Sequence, residues 1–469
     1  MQRNHWPWGI GIAAKPAQRV GPLLKREKPW EDGSEIITTL IHEQGRYRAW
    51  ATTDWGNLKG RTQTFFCYYE SSDGMSWERP ECGVMEYGGS LRNNLLFPEA
   101  GGTVFIDSSA SKEERYKWVE CYEFTHDACK EYFRKRSDAT DPQAFRRDMN
   151  VHFGLRGAVS PDGIHWKIIP EPLVLTHTDT QTVAYYDATL KKYVCYFRDW
   201  MVGPQADPAV DEQGLRWISV GRRAIGRAET GDFRHFPLPE LIVEPGPEMN
   251  PSEVFYTNCK TSVPGAPDIH LMFPAVWNTA TDATNIRLLS SHNGRAWHSV
   301  PGNPVLETAE FGQWDGGCVF ASPNLIELPN GDFALPYAGY DVPHKYPRAG
   351  AMRATGYAVW PKGRMVALES PERGEFATVA LIPPGKKLLI NALTKRSGYV
   401  LVEALNFAGE VIPGRDFANA VPIVGDCYRT TVVWKGHDDL GIAPGQAVIL
   451  RFRLQQASIF GLEFIPASK

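Results

Sequence analysis

A seven-residue phrase that recurs four times along the chain constrains the fold more than any other sequence feature. Each copy begins with Ser or Thr, has Asp or Asn at its third position and ends in an aromatic residue, and three copies have Gly at the fourth position. The copies are 71–77 (SSDGMSW), 160–166 (SPDGIHW), 230–236 (TGDFRHF) and 291–297 (SHNGRAW). Because Asp-Gly and Asn-Gly tolerate positive φ, the phrase predicts a tight hairpin closed by an aromatic ring.

The spacing of the copies predicts the architecture. Consecutive copies lie roughly 60 to 90 residues apart, which fits a four-stranded propeller blade with loop insertions. One Ser-x-Asp-Gly alone would be an ordinary turn, whereas four copies indicate one repeated supersecondary unit. We therefore predict an all-β fold, with a five-bladed β-propeller over 1–375 and a β-sandwich over 376–469.

Strand signals place the blades along the chain. Runs rich in β-branched and aromatic residues begin at Glu35, and later blades begin near Asn93, Asp179, Glu253 and Trp314. The second blade carries a charged insertion, 126–148, with a helix predicted over 127–136. The tail predicts five short strands, and their even spacing is typical of a sandwich: 387–391, 399–403, 430–434, 447–453 and 459–464.

Composition excludes several classes of protein. The chain of 469 residues is 43% hydrophobic and 22% charged and has no apolar run long enough to cross a membrane, so we expect a soluble globular protein. A net charge of −4 supplies no basic stripe, which argues against nucleic acid as a partner. An assembly of identical chains is compatible with this composition. The first residues lack an apolar leader, so the protein is cytoplasmic, or periplasmic or secreted if a signal was removed.

The cysteines predict neither a metal site nor a redox motif. There are eight, scattered without a C-x-x-C pair, and we interpret them as reduced, mostly buried thiols. His177 and His344 also lack metal-ligand spacing. We therefore expect no metal and no organic cofactor.

The chain resembles a known group of carbohydrate enzymes. The entry motif 29–31 (PWE) and the tail residues Asn391, Gly398, Asp426 and Trp434 resemble bacterial proteins grouped with the glycoside hydrolase family 32 and 43 superfamily. That group includes invertases, arabinofuranosidases and mannoside phosphorylases. The invertase signature WMNDPNG is absent, and the sialidase Asp-box has its Gly one residue later than here, which argues against fructosidase or sialidase activity.

Polar residues at the blade starts predict the site. The innermost strand of each propeller blade lines a central channel, so these residues should converge on one funnel. They are Glu31, Asn93, Asn94, Asp179, Glu253 and Asp315. A glycosidase needs one carboxylic acid to protonate the departing oxygen and one carboxylate to activate water or attack the sugar.

The resemblance implies particular roles for these residues. In the family the first-blade acid is the base or nucleophile and a third-blade acid protonates the leaving group, which gives Glu31 and Asp179 those roles. Blade two offers Asn93 and Asn94 where the family has Asp, so Glu253 or Asp315 could take a role instead. Each carboxylate alone could equally cap backbone groups.

Cationic and aromatic residues near the same strands are candidates for substrate binding. Because Arg binds carboxylate or sulfate in a bidentate manner, an acidic sugar such as a uronate is one expectation; the alternative is that each Arg pairs with a channel carboxylate. The cationic candidates are Arg115, Arg198, Arg222, Arg223, Arg348, His177 and His344. The aromatic candidates are Trp30, Trp200, Trp277, Trp314 and Tyr337.

Three functions follow from this interpretation. The first is an exo-acting glycoside hydrolase that cleaves a terminal sugar from an oligo- or polysaccharide in the funnel. The second is a glycoside phosphorylase, which predicts two or more Arg or His beside the catalytic acid. The third is a carbohydrate-binding propeller without catalysis, and carboxylates engaged only in ion pairs would favour it.

Overall fold

The structure is a computed structural model that describes residues 7–31, 35–53, 64–97, 101–140, 151–201, 221–346 and 351–466. Within these ranges the chain forms thirty strands, one α-helix and three short 3-10 helices. No helix in the described ranges is long and apolar enough to cross a membrane. The strands are β1 Gly11–Ala14, β2 Gln18–Val20, β3 Ile36–Glu43, β4 Arg46–Thr52, β5 Phe66–Ser71, β6 Leu95–Phe97, β7 Thr103–Ile106, β8 Tyr116–Thr125, β9 Val151–Ser160, β10 Lys167–Ile168, β11 Val183–Asp187, β12 Lys192–Met201, β13 Arg222–Thr230, β14 Glu240–Val243, β15 Glu253–Phe255, β16 Lys260–Val263, β17 Ala266–Met272, β18 Ala275–Asn278, β19 Thr284–Ile286, β20 Leu289–Ser291, β21 His298–Ser299, β22 Leu306–Glu307, β23 Cys318–Ala321, β24 Ile326–Glu327, β25 Phe333–Tyr340, β26 Arg353–Trp360, β27 Val366–Ala377, β28 Lys387–Asn406, β29 Asp426–Thr431 and β30 Val448–Ile465. The helices are α1 His126–Lys135 and the 3-10 turns Lys112–Glu114, Ser137–Ala139 and Pro361–Gly363.

Antiparallel sheets follow one another along the chain. Three of them have four strands each in sequence order, namely β3 to β6, β7 to β10 and β11 to β14. Strands β15 to β22 form two further four-stranded sheets that share one stretch of chain, with orders β15-β18-β19-β22 and β16-β17-β20-β21. The next sheet, β23-β25-β26, is completed at its far edge by the N-terminal strand β2. Short hairpin connections explain why sequence neighbours pair.

Apolar clusters between the sheets close this series into a ring. Each stretch of chain shares a buried cluster with the next, and the sheet of β23 to β26 shares one with the first sheet. Example pairs across the five contacts are Trp50 with Trp118, Leu155 with Phe197, Val194 with Met272, Leu271 with Leu335, and Tyr357 with Tyr47. Every sheet therefore buries both faces, which accounts for the apolar residues on both sides of strands such as β26.

The recurrent phrase forms the hairpin turns that the sequence predicts. The copy at 160–166 joins β9 to β10, and the copy at 291–297 joins β20 to β21. In the first of these the Ser160 hydroxyl accepts from the backbone N–H of Gly163 at 2.9 Å, and Asp162 Oδ1 accepts from the next two backbone N–H groups at 2.9 Å each. The Trp166 indole then donates to the Gly163 carbonyl at 3.0 Å. The aromatic residue thus closes its own turn.

These turns also attach each sheet to the sheet before it. The Gly163 carbonyl accepts a second hydrogen bond, from Nε1 of Trp50 on β4, at 2.8 Å. The Gly294 carbonyl accepts from the Tyr196 hydroxyl on β12 at 2.7 Å, and the Gly74 carbonyl accepts from Tyr357 on β26 at 2.8 Å. The repeat is therefore a device for contact between sheets as well as a turn.

The copy at 230–236 has no glycine and uses packing instead. Phe233 stacks edge to face on Phe105 of β7, with ring centroids 5.8 Å apart. Phe233 and Phe236 are both buried in the cluster between the second and third sheets. The same contact between sheets is made here by rings in place of a carbonyl.

The predicted helix is confirmed as α1, which spans His126–Lys135. The Thr125 hydroxyl accepts from the Ala128 backbone N–H at the N-terminus, a normal capping arrangement. Cys129 and Tyr132 face the cluster beneath the helix. The rest of the predicted insertion, 141–148, lies outside the described residues.

The last sheet has the order β1-β27-β30-β28-β29 and encloses its own apolar cluster. Five short strands were expected here, but β28 has 20 residues and β30 has 18. Shifts in the β28–β30 register between Asn391 and Ala392 and between Thr394 and Tyr399 bend the pair, since a bulge bends a strand without ending it. Strand β27 spans the predicted domain boundary after residue 375.

Candidate functional site

A cavity of about 660 Å³, here called the main cavity, lies where the ring's sheets meet. Its wall is built from every part of the ring: β3, β8, β9, β23, β25 and β26, together with the segments that precede β7 and β11 and follow β15. A volume of this size is typical of small-ligand sites. Segments from all of these sheets therefore contribute side chains to one cavity.

Three carboxylates line the main cavity. Asp179 precedes β11, and Glu120 and Glu123 lie on β8. Glu120 accepts from Arg156 at 2.6 Å, and Asp179 is in contact with the guanidinium of Arg198. Glu123 is exposed and makes no ion pair among the described residues. The cavity thus contains two carboxylates held by arginines and one that forms no ion pair among the described residues.

Aromatic and polar side chains complete the wall. Tyr122, Phe153, Tyr256, Phe320 and Tyr340 line the cavity, and such rings stack readily on the C–H faces of sugars. The Arg156 guanidinium lies 3.8 Å from the centre of the Tyr122 ring, which fixes both groups. The wall therefore offers apolar platforms beside charged groups.

Each of the four acids predicted to be catalytic contacts an arginine, and only one of them lines the main cavity. Asp179 is in the wall, whereas the lining does not include Glu31, Glu253 or Asp315. Glu253 pairs with Arg287 at 2.7 Å. Asp315 pairs with Arg19 at 3.2 Å and accepts from the Tyr337 hydroxyl at 2.7 Å. The catalytic roles expected for the four acids remain predictions, and the lining of the main cavity includes Asp179 alone of the four.

Glu31 is held in a buried structural network. Its side chain has no exposed surface, and Oε1 accepts from Arg79 at 2.5 Å and from the Tyr69 hydroxyl at 3.1 Å. Oε2 accepts from the backbone N–H groups of Glu27 and Lys28 at 2.8 and 3.1 Å. With both oxygens bonded in this way, Glu31 organises the turn before β3.

Three further predicted binding residues also serve the fold. The Trp30 indole donates to Asn94 Oδ1 at 2.8 Å, and the Asn94 amide donates to the Tyr68 carbonyl at 2.9 Å. Asn93 donates to the Met85 carbonyl at 2.8 Å and accepts from the Leu95 N–H at 2.9 Å. These amides satisfy backbone groups beside β6, outside the cavity lining.

The remaining predicted residues away from the cavity are also engaged in structural contacts. Arg115 pairs with Glu43 on the ring's outer side, and its Nη1 donates to the Tyr116 hydroxyl at 3.1 Å. Trp314 stacks on Tyr337, with centroids 5.5 Å apart. Arg348 lies outside the described residues.

The structure brings most of the other predicted residues together beside the cavity wall, around Tyr256, which the sequence analysis did not single out. We call the set made by Arg198, Arg223, Trp200, Tyr256, Trp277 and His344 the basic aromatic cluster. The His344 ring is 4.4 Å from Tyr256 and 5.3 Å from Trp277. His177 lies next to the set, 6.2 Å from the Trp200 ring. Tyr256 and His344 connect the cluster to the main cavity because both line it.

Burial weakens the basicity of the arginines in the cluster. Arg198 has no exposed side-chain surface, and burial together with the positive charge of Arg223 lowers the pKa of its guanidinium to about 9. Burial also lowers the pKa of Arg223. Arg198 therefore still carries its charge near neutral pH.

Sequence reasoning missed Glu120, Glu123, Arg156 and Arg353 as cavity residues. Arg353 is buried and donates to the Thr53 carbonyl at 2.6 Å. The signal that could have found Glu120 and Glu123 is the occurrence of two carboxylates in a strand rich in apolar and aromatic residues, β8, which also carries Lys117, since buried strands rarely carry charge without a use or a partner.

A second cavity of about 220 Å³ contains an ammonium group without a carboxylate partner among the described residues. Lys260 lines it, with Nζ 3.7 Å from the Tyr185 ring centre and 3.4 Å from the Ser262 hydroxyl. Burial lowers the pKa of Lys260 to about 7. Burial and the Lys260 charge lower the pKa of nearby His270 to about 4.

No family model matches the chain, and no curated protein matches it. Among solved structures, the chain is similar to an N-acetylgalactosamine deacetylase from F. plautii in complex with blood group B trisaccharide, at 14% identity and a TM-score of 0.45, over 76% of this chain and 96% of that one. It is also similar to an α-L-arabinofuranosidase from Podospora anserina in complex with cellotriose, at 12% identity and a TM-score of 0.43, over 74% and 96%.

A family 32 β-fructofuranosidase from Bombyx mori is similar over 94% of this chain and 96% of its own, at 10% identity and a TM-score of 0.41. Family 43 is also represented among the similar structures. The similar structures thus include glycoside hydrolases of families 32 and 43, the group that the sequence resembles.

Proposed function

We propose that the protein is an exo-acting glycoside hydrolase whose ring of sheets is a five-bladed β-propeller, with the last sheet forming a C-terminal β-sandwich. The division into 1–375 and 376–469 remains part of this proposal, with β27 as the strand shared by the two parts. The observation that carries the function is the main cavity, in which Glu120, Glu123 and Asp179 stand among aromatic rings. Its volume suits the end of a glycan chain better than a long internal stretch.

The environment of each carboxylate supports a division of roles. The Arg198 guanidinium favours the charged form of Asp179, so Asp179 suits the base or nucleophile rather than the general acid that the sequence predicted. Glu123 has no cationic partner in the described structure, and a bound sugar would desolvate it and favour its protonated form. Glu120, held by Arg156, would keep this part of the cavity wall in place and make the electrostatic potential inside the cavity more negative.

The reaction then needs only these groups and water. The Glu123 carboxyl gives its proton to the departing glycosidic oxygen as the bond to the anomeric carbon breaks. Asp179 either takes a proton from the attacking water or bonds to the anomeric carbon until water displaces it. The products are the released sugar and the shortened chain.

The test is release of reducing sugar from a panel of aryl glycosides and plant or algal oligosaccharides. We expect Asp179→Asn and Glu123→Gln each to lower turnover by at least about 100-fold, the usual scale for acid–base catalysis. The control is Glu240→Gln, which removes a carboxylate with 76% exposed side-chain surface on the outer side of the ring. Full activity in both cavity variants would refute the assignment.

A carbohydrate-binding protein without catalysis is the second candidate. It is favoured by the arginine contact that each of the four sequence-predicted acids makes, because a neighbouring arginine opposes the protonated form that a general acid needs. Binding of oligosaccharides without turnover, weakened by Tyr256→Ala, would favour this candidate over the hydrolase.

A further inference from the structure

The basic aromatic cluster has an arrangement of charge that the hydrolysis of a neutral sugar does not require. Arg198 on β12 and Arg223 on β13 lie on adjacent strands, where Trp200 is directly opposite Arg223. Their guanidinium carbons are 4.9 and 4.7 Å from the centre of the same Tyr256 ring. Two cations therefore share one aromatic wall.

The cluster carries more positive than negative charge. Asp179 pairs with Arg198, but no carboxylate of the described residues forms an ion pair with Arg223. Buried nitrogens on both arginines, Nε and Nη2 of Arg198 and Nη1 of Arg223, have no well-aligned hydrogen-bond acceptor there, and the neutral Tyr256 hydroxyl lies beside both guanidiniums. Since charged groups are expensive to bury without acceptors, this surplus indicates that an anion completes the site.

The geometry connects this surplus to the main cavity. Tyr256, which both arginines contact, lines the main cavity together with Asp179 and His344. Arg223 is partly exposed and also lies 5.4 Å from the Trp277 ring centre. A sugar ring stacked on Tyr256 would bring an acidic substituent towards Arg223. Arg198 would stay paired with the charged Asp179.

We infer that the main cavity binds an anionic group at Arg223, either the carboxylate or sulfate of an acidic sugar or a free phosphate ion. The inference rests on the proposed function and names the chemical class of its substrate. Arg forms bidentate bonds to all of these anions. Arg223 makes most of the bonds to the anion, and Arg198 acts by positioning Asp179.

The experiment compares matched ligands by isothermal titration calorimetry. The full-length protein is titrated with glucuronate against glucose, with galacturonate against galactose, and with inorganic phosphate. We expect at least one anion to bind tenfold or more tightly than its neutral counterpart, with affinity that falls as salt rises. Arg223→Gln should remove this preference, whereas Arg223→Lys should keep part of it.

The control for loss of one positive charge is Arg295→Gln, because Arg295 is half-exposed and pairs with Glu229 and Glu240 away from the cluster. Equal binding of acidic and neutral sugars, together with no phosphate binding, would overturn the inference while leaving the hydrolase proposal intact. That comparison needs only the wild-type protein, so it holds even if Arg223→Gln fails to fold.

The outcomes also separate the source of the anion. A uronate preference that depends on Arg223 supports an acidic sugar. Phosphate binding that depends on Arg223, with cleavage of glycosides that requires phosphate, supports a phosphorylase. Arg223-dependent phosphate binding without any sugar binding would support the anion site and refute the carbohydrate function.

Discussion

The turn that contains Gly163 allows the contact between neighbouring sheets to be measured. Gly163 has φ +81, and a Cβ added there would lie 2.7 Å from Cζ2 of Trp50. Trp50 is fully buried and donates its indole N–H to the Gly163 carbonyl at 2.8 Å. Gly163→Ala therefore combines an unfavourable backbone conformation with a clash against a ring that has little room to move.

The cost of the backbone conformation and the cost of the clash can be estimated separately and then added. A left-handed conformation costs a residue with a Cβ about 1–2 kcal/mol, and forcing extra volume into a packed core costs about 1–3 kcal/mol. We expect Gly163→Ala to lower the free energy of unfolding by about 2–5 kcal/mol. The matched control is Gly45→Ala, because Gly45 has φ +74 and nothing within 4 Å of its added Cβ. It should lose only the backbone part.

The assay is urea-induced unfolding of wild type and both variants, followed by Trp fluorescence and circular dichroism. The difference between the two variants, about 1–3 kcal/mol, reports the contact between the turn and Trp50. If Gly163→Ala and Gly45→Ala lose the same stability, the turn does not pack on Trp50 and its role in joining the sheets is wrong.

Three other predictions concern buried charge and thiols. Lys260→Met should stabilise the protein by an amount on the order of a few kcal/mol at pH 6. Because burial lowers the lysine pKa to about 7, the cost of burying its charge is full below pH 7 and disappears as the pH rises towards the pKa of lysine in the unfolded chain. A gain in urea stability that is equal at pH 6 and pH 10 would contradict this. Glu31→Gln should cost about 3–5 kcal/mol in the same assay, because it leaves the buried Arg79 guanidinium without its main counter-ion, and a loss below 1 kcal/mol would argue against that network. Thiol titration of the native protein should reach at most Cys82 and Cys121, the two cysteines that are not fully buried, and rapid reaction of all eight without denaturant would refute the packing.

Turn chemistry explains why the hairpin turns could be predicted from the sequence. The Ser hydroxyl and Asp carboxylate of each phrase bond to backbone groups within three residues, so the pattern is local and readable. Trp166 closes the turn of its own phrase in the same way. The bond from Trp50 to Gly163 spans 113 residues, and nothing in the phrase specifies it.

The candidate site was harder to predict because partner choice is not local. Glu31 and Asp179 look equivalent as acids at the starts of strands. They differ because Arg79, 48 residues away, encloses Glu31, whereas Arg198 holds Asp179 at a cavity wall. Burial by distant elements decides which carboxylate reaches the cavity.

The last sheet shows a second reason why local sequence patterns do not predict every strand. The sequence predicts a break between the strands 387–391 and 399–403, next to Asn391 and Gly398, since Gly weakens a strand interior. In the structure they lie at or near register shifts within β28. The strand continues because β30 follows it on the other side, and this pairing partner is not visible in the alternation of residues.

The position of β2 gives the ring a seam. Gln18 pairs with Val359, about 340 residues further along the chain, and β1 similarly borders the last sheet. Bringing such distant segments together costs on the order of 5 kcal/mol of chain entropy. During synthesis, β2 emerges early and must wait until β26 has left the ribosome. We therefore expect ring closure to be a late step of folding and the seam to be the place where thermal opening begins.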